Sequence, residues 1–318
     1  MNRHINHSTD ATVNKGQTEQ EESSAVDFKL QMINTVAVFK VGDDLYQNKE
    51  LWQPFGSRGG FGGQLVAQAL NAGWDTVPES FSAHSIHAYF MLACDAKLPI
   101  TYRVQRIRDG RSFTTPDSST ALKLQTAMPK IISPESVLSE RQSYKDAVDE
   151  ANKFPDRFPR ERVQEIETRE KEDIPIEYRQ VEDFSAKAVI EGIIQPNDHT
   201  ASDTSCEDQK LHTLALAYAS DSHFLNTGAR AHGYNFNAEN IGMLTSLDHT
   251  IWFHEPVKAD EYLLYDMHSP QSNHGRSMVF GKIYTQDGRL VATTAQEGIV
   301  RLSKQGQAYH QKIRDNKL

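Results

Sequence analysis

Apolar positions recur along this chain with two different periods, and the change from one to the other marks its elements. Gln64-Leu-Val-Ala-Gln-Ala-Leu-Asn-Ala-Gly-Trp74 carries small apolar residues around most of its circumference, as a buried helix does, and Pro78 ends it. Ahead of it, Val36-Ala-Val-Phe-Lys-Val41 predicts a strand, and residues 56–63 form a glycine-rich lead-in. Two strands are predicted after the helix, over 82–91 and 99–107. A second series then repeats this order. Asp208 is placed to cap a helix over 209–226, and strands follow over 246–255, 261–268, 277–285 and 289–302. The last two are joined by Asp287-Gly288, a strong signal for a tight hairpin.

The two series share a register. His84-Ser85-Ile86 returns as His249-Thr250-Ile251, and Gly110-Arg111-Ser112 as Gly275-Arg276-Ser277, each 165 positions later. Two matches at one offset argue for a duplicated domain. One buried helix with long antiparallel strands, occurring twice, predicts an α+β fold in which each sheet curls around a central helix. The expected organisation is a disordered polar tail over 1–30, a first unit over 31–134, a charged linker over 135–173, a second unit over 174–303 and a polar tail over 304–318. The linker is densely charged, holds Pro155 and Pro159, and shows helical promise only near 137–152. A curled sheet leaves an exposed edge, so the two units are expected to dock on each other.

Composition narrows the function classes. A net charge of −9 without a basic stripe argues against nucleic-acid binding. Two cysteines, Cys94 and Cys206, are too few for a disulfide framework. No apolar run approaches the roughly 20 residues of a membrane span, and the first residues lack the apolar core of a signal peptide.

Polar residues on apolar faces are the candidates for chemistry. Leu211, Leu214, Ala215, Tyr218 and Leu225 form the stripe of the second helix, and Asp221 falls on it. A carboxylate there is costly unless partnered. Spacing alone leaves two readings open, a functional carboxylate or one bonded to loop backbone donors. On the last strand Gln296 shares parity with Leu290, Ala292, Gly298 and Val300, which puts its amide on the apolar face. Ser246 shares parity with Asp248, opposite Leu247, Ile251 and Phe253, so alternation turns it away from the helix unless a bulge re-aims it. His84 and His87 are three apart on a strand, face opposite ways and make a poor metal pair. No metal site is expected. Residues 59–63 lack the Lys-Ser/Thr of a phosphate loop, and close helix packing explains their glycines.

Several of these stretches resemble the acyl-CoA thioesterase II family. They are Tyr218-Ala-Ser-Asp-Ser-His-Phe-Leu225, Ser246-Leu-Asp-His-Thr-Ile-Trp-Phe-His254, Gln296-Glu-Gly298, Phe61-Gly-Gly-Gln-Leu-Val-Ala-Gln-Ala-Leu70, His84 to Phe90 and Arg108-Asp-Gly-Arg-Ser-Phe113. The resemblance covers about 36–302. It implies a double hotdog fold and hydrolysis of fatty acyl-CoA to free acid and CoA. It also implies a site of Asp221, Ser246 and Gln296 that activates a water, with no metal and no redox cofactor. Under the 165 offset the first unit has Phe81 and Ile131 in place of Ser246 and Gln296, and its helix carries no carboxylate, so the reacting side chains are expected in the second unit. His84 is a second-tier substrate-binding candidate.

One departure stands out. After Phe113 the first unit is short and proline-broken where the family has a strand pair, so this hotdog is expected to be incomplete. That keeps an acyl-CoA-binding protein without turnover as an alternative. A hotdog enoyl-CoA hydratase is a second alternative, but it would want an Asp-His pair near one helix, which is not found. The terminal Asn316, Lys317 and Leu318 resemble the Ser-Lys-Leu peroxisomal address, which implies an import receptor as partner and the peroxisome matrix as location, with the cytoplasm as fallback. A homo-oligomer is also expected.

Overall fold

The computed structural model describes residues 29–108, 124–180, 198–201, 208–231 and 240–315. The long strands of the second half dominate it. β9 (Leu263–Asn273), β10 (Arg276–Thr285) and β11 (Leu290–Leu302) form an antiparallel meander. Its first turn has His274 and Gly275 at φ 50° and 75°, the left-handed pair a two-residue hairpin needs. Its second uses Gly288 at φ 86°, in the expected Asp287-Gly288 turn. β5 (Glu177–Gln180) and β6 (Asp198–Ala201) extend the meander on one side, and β8 (Asp248–Phe253) lies on the other. β3 (Ser85–Tyr89), from the first half, completes the order β3-β8-β11-β10-β9-β6-β5, and β7 (Ile241–Ser246) also pairs with β11. A smaller sheet holds β1 (Val38–Gly42), β2 (Leu45–Asn48) and β4 (Thr101–Arg103) in the order β1-β2-β4.

The two halves meet twice, as expected of a duplicated chain. β3 pairs antiparallel with β8, Ile86 opposite Ile251, so one ladder crosses the junction. The two central helices, α2 (Gly62–Trp74) and α5 (Gln209–Ala219), pack against each other. Asp208 caps α5 by accepting from Lys210 N and Leu211 N, and every residue from Leu211 to Ala219 is buried. α2 buries Gly63, Gln64, Val66, Ala67, Gln68 and Ala72 and leaves Ala69 exposed. The core they share includes Val66, Leu214, Tyr218, Ile251, Val279 and Ile283.

Several sequence expectations need correction. Residues 29–36 are helical (α1), so the tail is structured at its end and the strand expected from Val36 begins at Val38. The helix expected over 209–226 stops at Ala219 and restarts as α6 (Phe224–Arg230), because His223 takes a left-handed φ of 56° between them. The charged stretch over 135–173 holds the helix expected near 137–152, α3 (Glu140–Lys153), but a second helix, α4 (Arg160–Glu170), packs on it, and together they bury Tyr144, Ala147, Ala151 and Ile166. Its sparse apolar residues are enough because they serve only one narrow seam. Residues Lys304–Asp315 form a helix, α7, with Ser303 Oγ accepting from Gly306 N at 3.0 Å, in place of the expected polar tail. The tripeptide Asn316–Leu318 lies outside the described residues.

The described strands of the first half are short. Its β3 and β4 are five and three residues long, well inside the expected 82–91 and 99–107. In the second half β10 and β11 fill the space between β8 and β9, and no described strand of the first half has that place. Part of the stretch expected to fall short lies outside the described residues. Residues 124–133 carry no helix or strand; Gln125 instead bonds the β10–β11 turn, donating to Gly288 O at 2.6 Å and accepting from Leu290 N at 3.0 Å. Met91, Leu92 and Ile107 are 85%, 89% and 94% exposed. Among the described residues no helix is long and apolar enough to cross a membrane.

Candidate active site

Gln296 is the centre of the site. Its strand β11 is bonded on both edges, and the parity read from the sequence holds: the side chain points inward and is fully buried. A buried amide must place its two N–H donors. Nε2 donates to Asp221 Oδ1 at 2.6 Å and to Ser246 Oγ at 3.1 Å. Its Oε1 is buried and has no protein partner among the described residues. One side chain therefore gathers the three residues singled out from the sequence.

Ser246 reaches this cluster through a bulge. β11 pairs Gly298 with Ser246 and Ala295 with Thr250, so Leu247, Asp248 and His249 oppose only Gln296 and Glu297. The extra residue inverts parity between the two segments, which is how a side chain that alternation turns outward comes to face the helix. Leu247 N still bonds Glu297 O at 2.9 Å. The Asp248 carboxylate takes Glu297 N–H at 2.9 Å, a local patch that the sequence reading missed.

Asp221 sits one residue beyond the α5 cap, in the turn closed by Ser222 N to Ala219 O at 3.0 Å. It reaches the buried side from this turn and not from a helical stripe. Burial raises its pKa to about 6, against the opposing pull of hydrogen bonds from Gln296 and from the Gly63 backbone N–H. The second of these comes from the other half of the chain. Helix α2 has no side-chain cap of its own. Asp221 supplies the anion at its start, where free N–H groups and the helix dipole favour a carboxylate. Two glycines make this approach possible: a Cβ on Gly62 would stand 2.7 Å from Asp221 Oδ2, and one on Gly63 would stand 2.3 Å from Tyr218 O. Close packing therefore does explain the glycine-rich lead-in, and it also brings the first half into the site. A run of glycine at a helix start is the signal that points to this role, but sequence does not show what approaches it.

His84 is not part of this cluster. It is exposed, its Nδ1 lies 3.3 Å from Ser85 Oγ, and its electrostatic neighbour is His254. His87 bonds Thr250 Oγ1 across the β3–β8 ladder at 3.3 Å. Among the described residues no three His, Cys, Asp or Glu side chains are grouped to hold a metal.

Comparison with known proteins gives a consistent result. Residues 190–299 match the family described as acyl-CoA thioesterase, and residues 49–121 match the acyl-CoA thioesterase N-terminal domain. The chain is 30% identical to acyl-coenzyme A thioesterase 8 of Homo sapiens, over 88% of this chain and 92% of that protein. It is 26% identical to peroxisomal acyl-coenzyme A thioester hydrolase 1 of Saccharomyces cerevisiae, over 78% of this chain and 87% of that one. Among solved structures, the acyl-CoA thioesterase II TesB2 of Mycobacterium marinum superposes with a TM-score of 0.61 at 24% identity, covering 86% of this chain and 98% of that chain. The fold is thus the double hotdog expected from the sequence.

The hydrogen bond from Gln296 stabilises the charged form of Asp221, so its loss should raise the carboxyl pKa above about 6. Carbon-detected NMR titration of the Asp221 carboxyl in wild type and Gln296→Leu checks this. The expected midpoint in the variant lies at higher pH.

Proposed function

Because the chain belongs to the acyl-CoA thioesterase family and hydrolyses acyl-CoA thioesters, we propose that Asp221, Ser246 and Gln296 carry this reaction by activating one water. The observation that carries the reading is the Gln296 amide, which ties a half-buried carboxylate to a hydroxyl at 2.6 and 3.1 Å. A thioester carbonyl is electrophilic enough to be attacked by water without a covalent enzyme intermediate. Asp221, with a pKa near 6, is ionised at neutral pH yet basic enough to take the proton of the attacking water. Ser246 and Gln296 fix the orientation of that water. Attack forms the new C–O bond and a tetrahedral oxyanion. Backbone N–H groups near a helix start would stabilise it. Collapse breaks the C–S bond, and the departing sulfur recovers the proton held by Asp221. Free acid and CoA thiol result. The second unit, 174–303, supplies all three side chains, and the first, 31–134, supplies the helix start.

Import into the peroxisome is supported by the terminal Asn316-Lys317-Leu318 and by the peroxisomal name of the yeast relative. Fatty acyl-CoA is then the substrate class. Assembly into a homo-oligomer is supported by the exposed apolar residues of the first half, Met91 and Leu92 among them.

Release of free thiol from an acyl-CoA measures turnover. Asp221→Ala should lower kcat by about a hundred- to ten-thousand-fold. Ser246→Ala and Gln296→Ala should each lower it by roughly a hundredfold, with the fold retained by circular dichroism. In wild type kcat/KM should rise with pH through a midpoint near 6 as Asp221 loses its proton. A wild-type rate in Asp221→Ala would remove it from the mechanism. A fluorescent protein fused to the N-terminus should appear in peroxisomal puncta and become diffuse when Asn316–Leu318 is deleted; diffuse signal from the intact fusion would contradict the location. Light scattering of the purified chain should give a multiple of the monomer mass, and a monomer would contradict the assembly.

A further inference from the structure

Beneath the site lies a second polar cluster that the reaction itself does not use. Ser220, the residue before Asp221, is fully buried and held at both its polar ends. Its hydroxyl donates to Ala217 O at 2.9 Å and lies 2.9 Å from His249 Nε2. Its carbonyl accepts from Tyr265 OH at 2.8 Å, and the same phenol lies 2.8 Å from Thr294 Oγ1. His249 and Thr294 are fully buried and Tyr265 is 1% exposed. The strands these groups sit on matter. His249 belongs to the bulge that aims Ser246, and Thr294 is two residues from Gln296 on β11.

We propose that His249 is a positioning residue: through Ser220, and together with Tyr265, it fixes the turn bearing Asp221 to the strands bearing Ser246 and Gln296. The hydrogen bonds dictate its form. The one Ser220 hydroxyl proton goes to Ala217 O, so His249 Nε2 must donate the proton it shares with Oγ, which leaves Nδ1 a bare acceptor with no partner among the described residues. The Phe224 ring stands edge-on at 5.7 Å, an apolar wall on the same pocket. Burial holds the imidazole pKa down at about 3, so it stays neutral. A neutral donor suits this place. A cation here would pull the pKa of Asp221 down and weaken it as a base, whereas imidazole grips the turn without adding charge.

A buried polar group that merely stabilised the fold would change the amount of folded enzyme and nothing else. A positioning group must change the properties of Asp221. Loosening the turn admits water to the carboxylate and relieves the burial that raises its pKa, so the acid limb of kcat/KM should move to lower pH.

The inference rests on Asp221 acting as the base, so the experiment begins with wild type and Asp221→Ala in the thiol-release assay. Ser220→Ala and Tyr265→Phe each remove one hydroxyl and are the least disruptive variants. His249→Leu removes the donor, and His249→Gln restores an N–H at nearly the same reach. The expected result is a loss of kcat on the order of 10- to 100-fold in Ser220→Ala, Tyr265→Phe and His249→Leu. Their acid limbs should shift below the wild-type position, with recovery of both properties in His249→Gln. The rate loss of Ser220→Ala with His249→Leu should be less than the product of the single losses, because both break one contact. If Asp221→Ala is inactive while Ser220→Ala and Tyr265→Phe keep the wild-type acid limb and rate, the positioning role is wrong and the site assignment stands. If Asp221→Ala is active, the site assignment itself has failed.

Discussion

A carboxylate largely withdrawn from water must be compensated, and in this protein the compensation of Asp221 joins both halves of the chain. One partner is the Gln296 amide from the second half, the other the Gly63 N–H at the start of the first-half helix. A charge-assisted hydrogen bond contributes about 1.5–3 kcal/mol, and two of them only partly offset burial, which is why the carboxyl still titrates near 6. This partial compensation is useful. Full compensation would leave an inert carboxylate, and none would leave a neutral acid at physiological pH. The helix-to-helix approach needed for it permits no side chain at Gly62 or Gly63.

The same demand shapes the sheet. Ser246 could not join Asp221 and Gln296 on a regular ladder, because its parity is wrong. One extra residue between Ser246 and Thr250 corrects it, and the bulge then needs its own partner for Glu297 N–H, which Asp248 provides. Below, Ser220 is held by His249 and Tyr265, so hydrogen bonds tie the helix end to the strands. The α3–α4 pair also holds this turn from outside. Glu140 accepts from Tyr144 OH at 2.6 Å and lies 3.4 Å from His223 Nε2, two residues past Asp221.

The asymmetry of the duplication has a physical reading. The second half keeps a full meander around its helix, so its strands are long and bonded on both edges. The first half carries none of the three candidate side chains and lacks described counterparts of β10 and β11. What it still provides is a helix start, and that requires only α2 and its glycines, held by packing on α5. The β3–β8 ladder fixes the two halves relative to each other and so sets where that helix points.

The sequence alone determined the elements whose signal is local. Asp208 as a cap, the Asp287-Gly288 hairpin, the long strands of the second half, the buried central helices and the inward face of Gln296 all follow from period, capping and turn chemistry within a few residues. The repeat at one offset gave the duplication, and the resemblance gave the three candidate residues that the structure brings together. What the tertiary structure decided was everything set by residues distant in sequence. The helix break after Ala219 depends on a left-handed His223 that no propensity announces. The aim of Ser246 depends on pairing with β11, since a bulge exists only relative to its partner strand. The seam between α3 and α4 is too narrow to show as periodicity. That Asp221 caps a helix from the other half is a fact about two segments more than a hundred residues apart, and only folding brings them together.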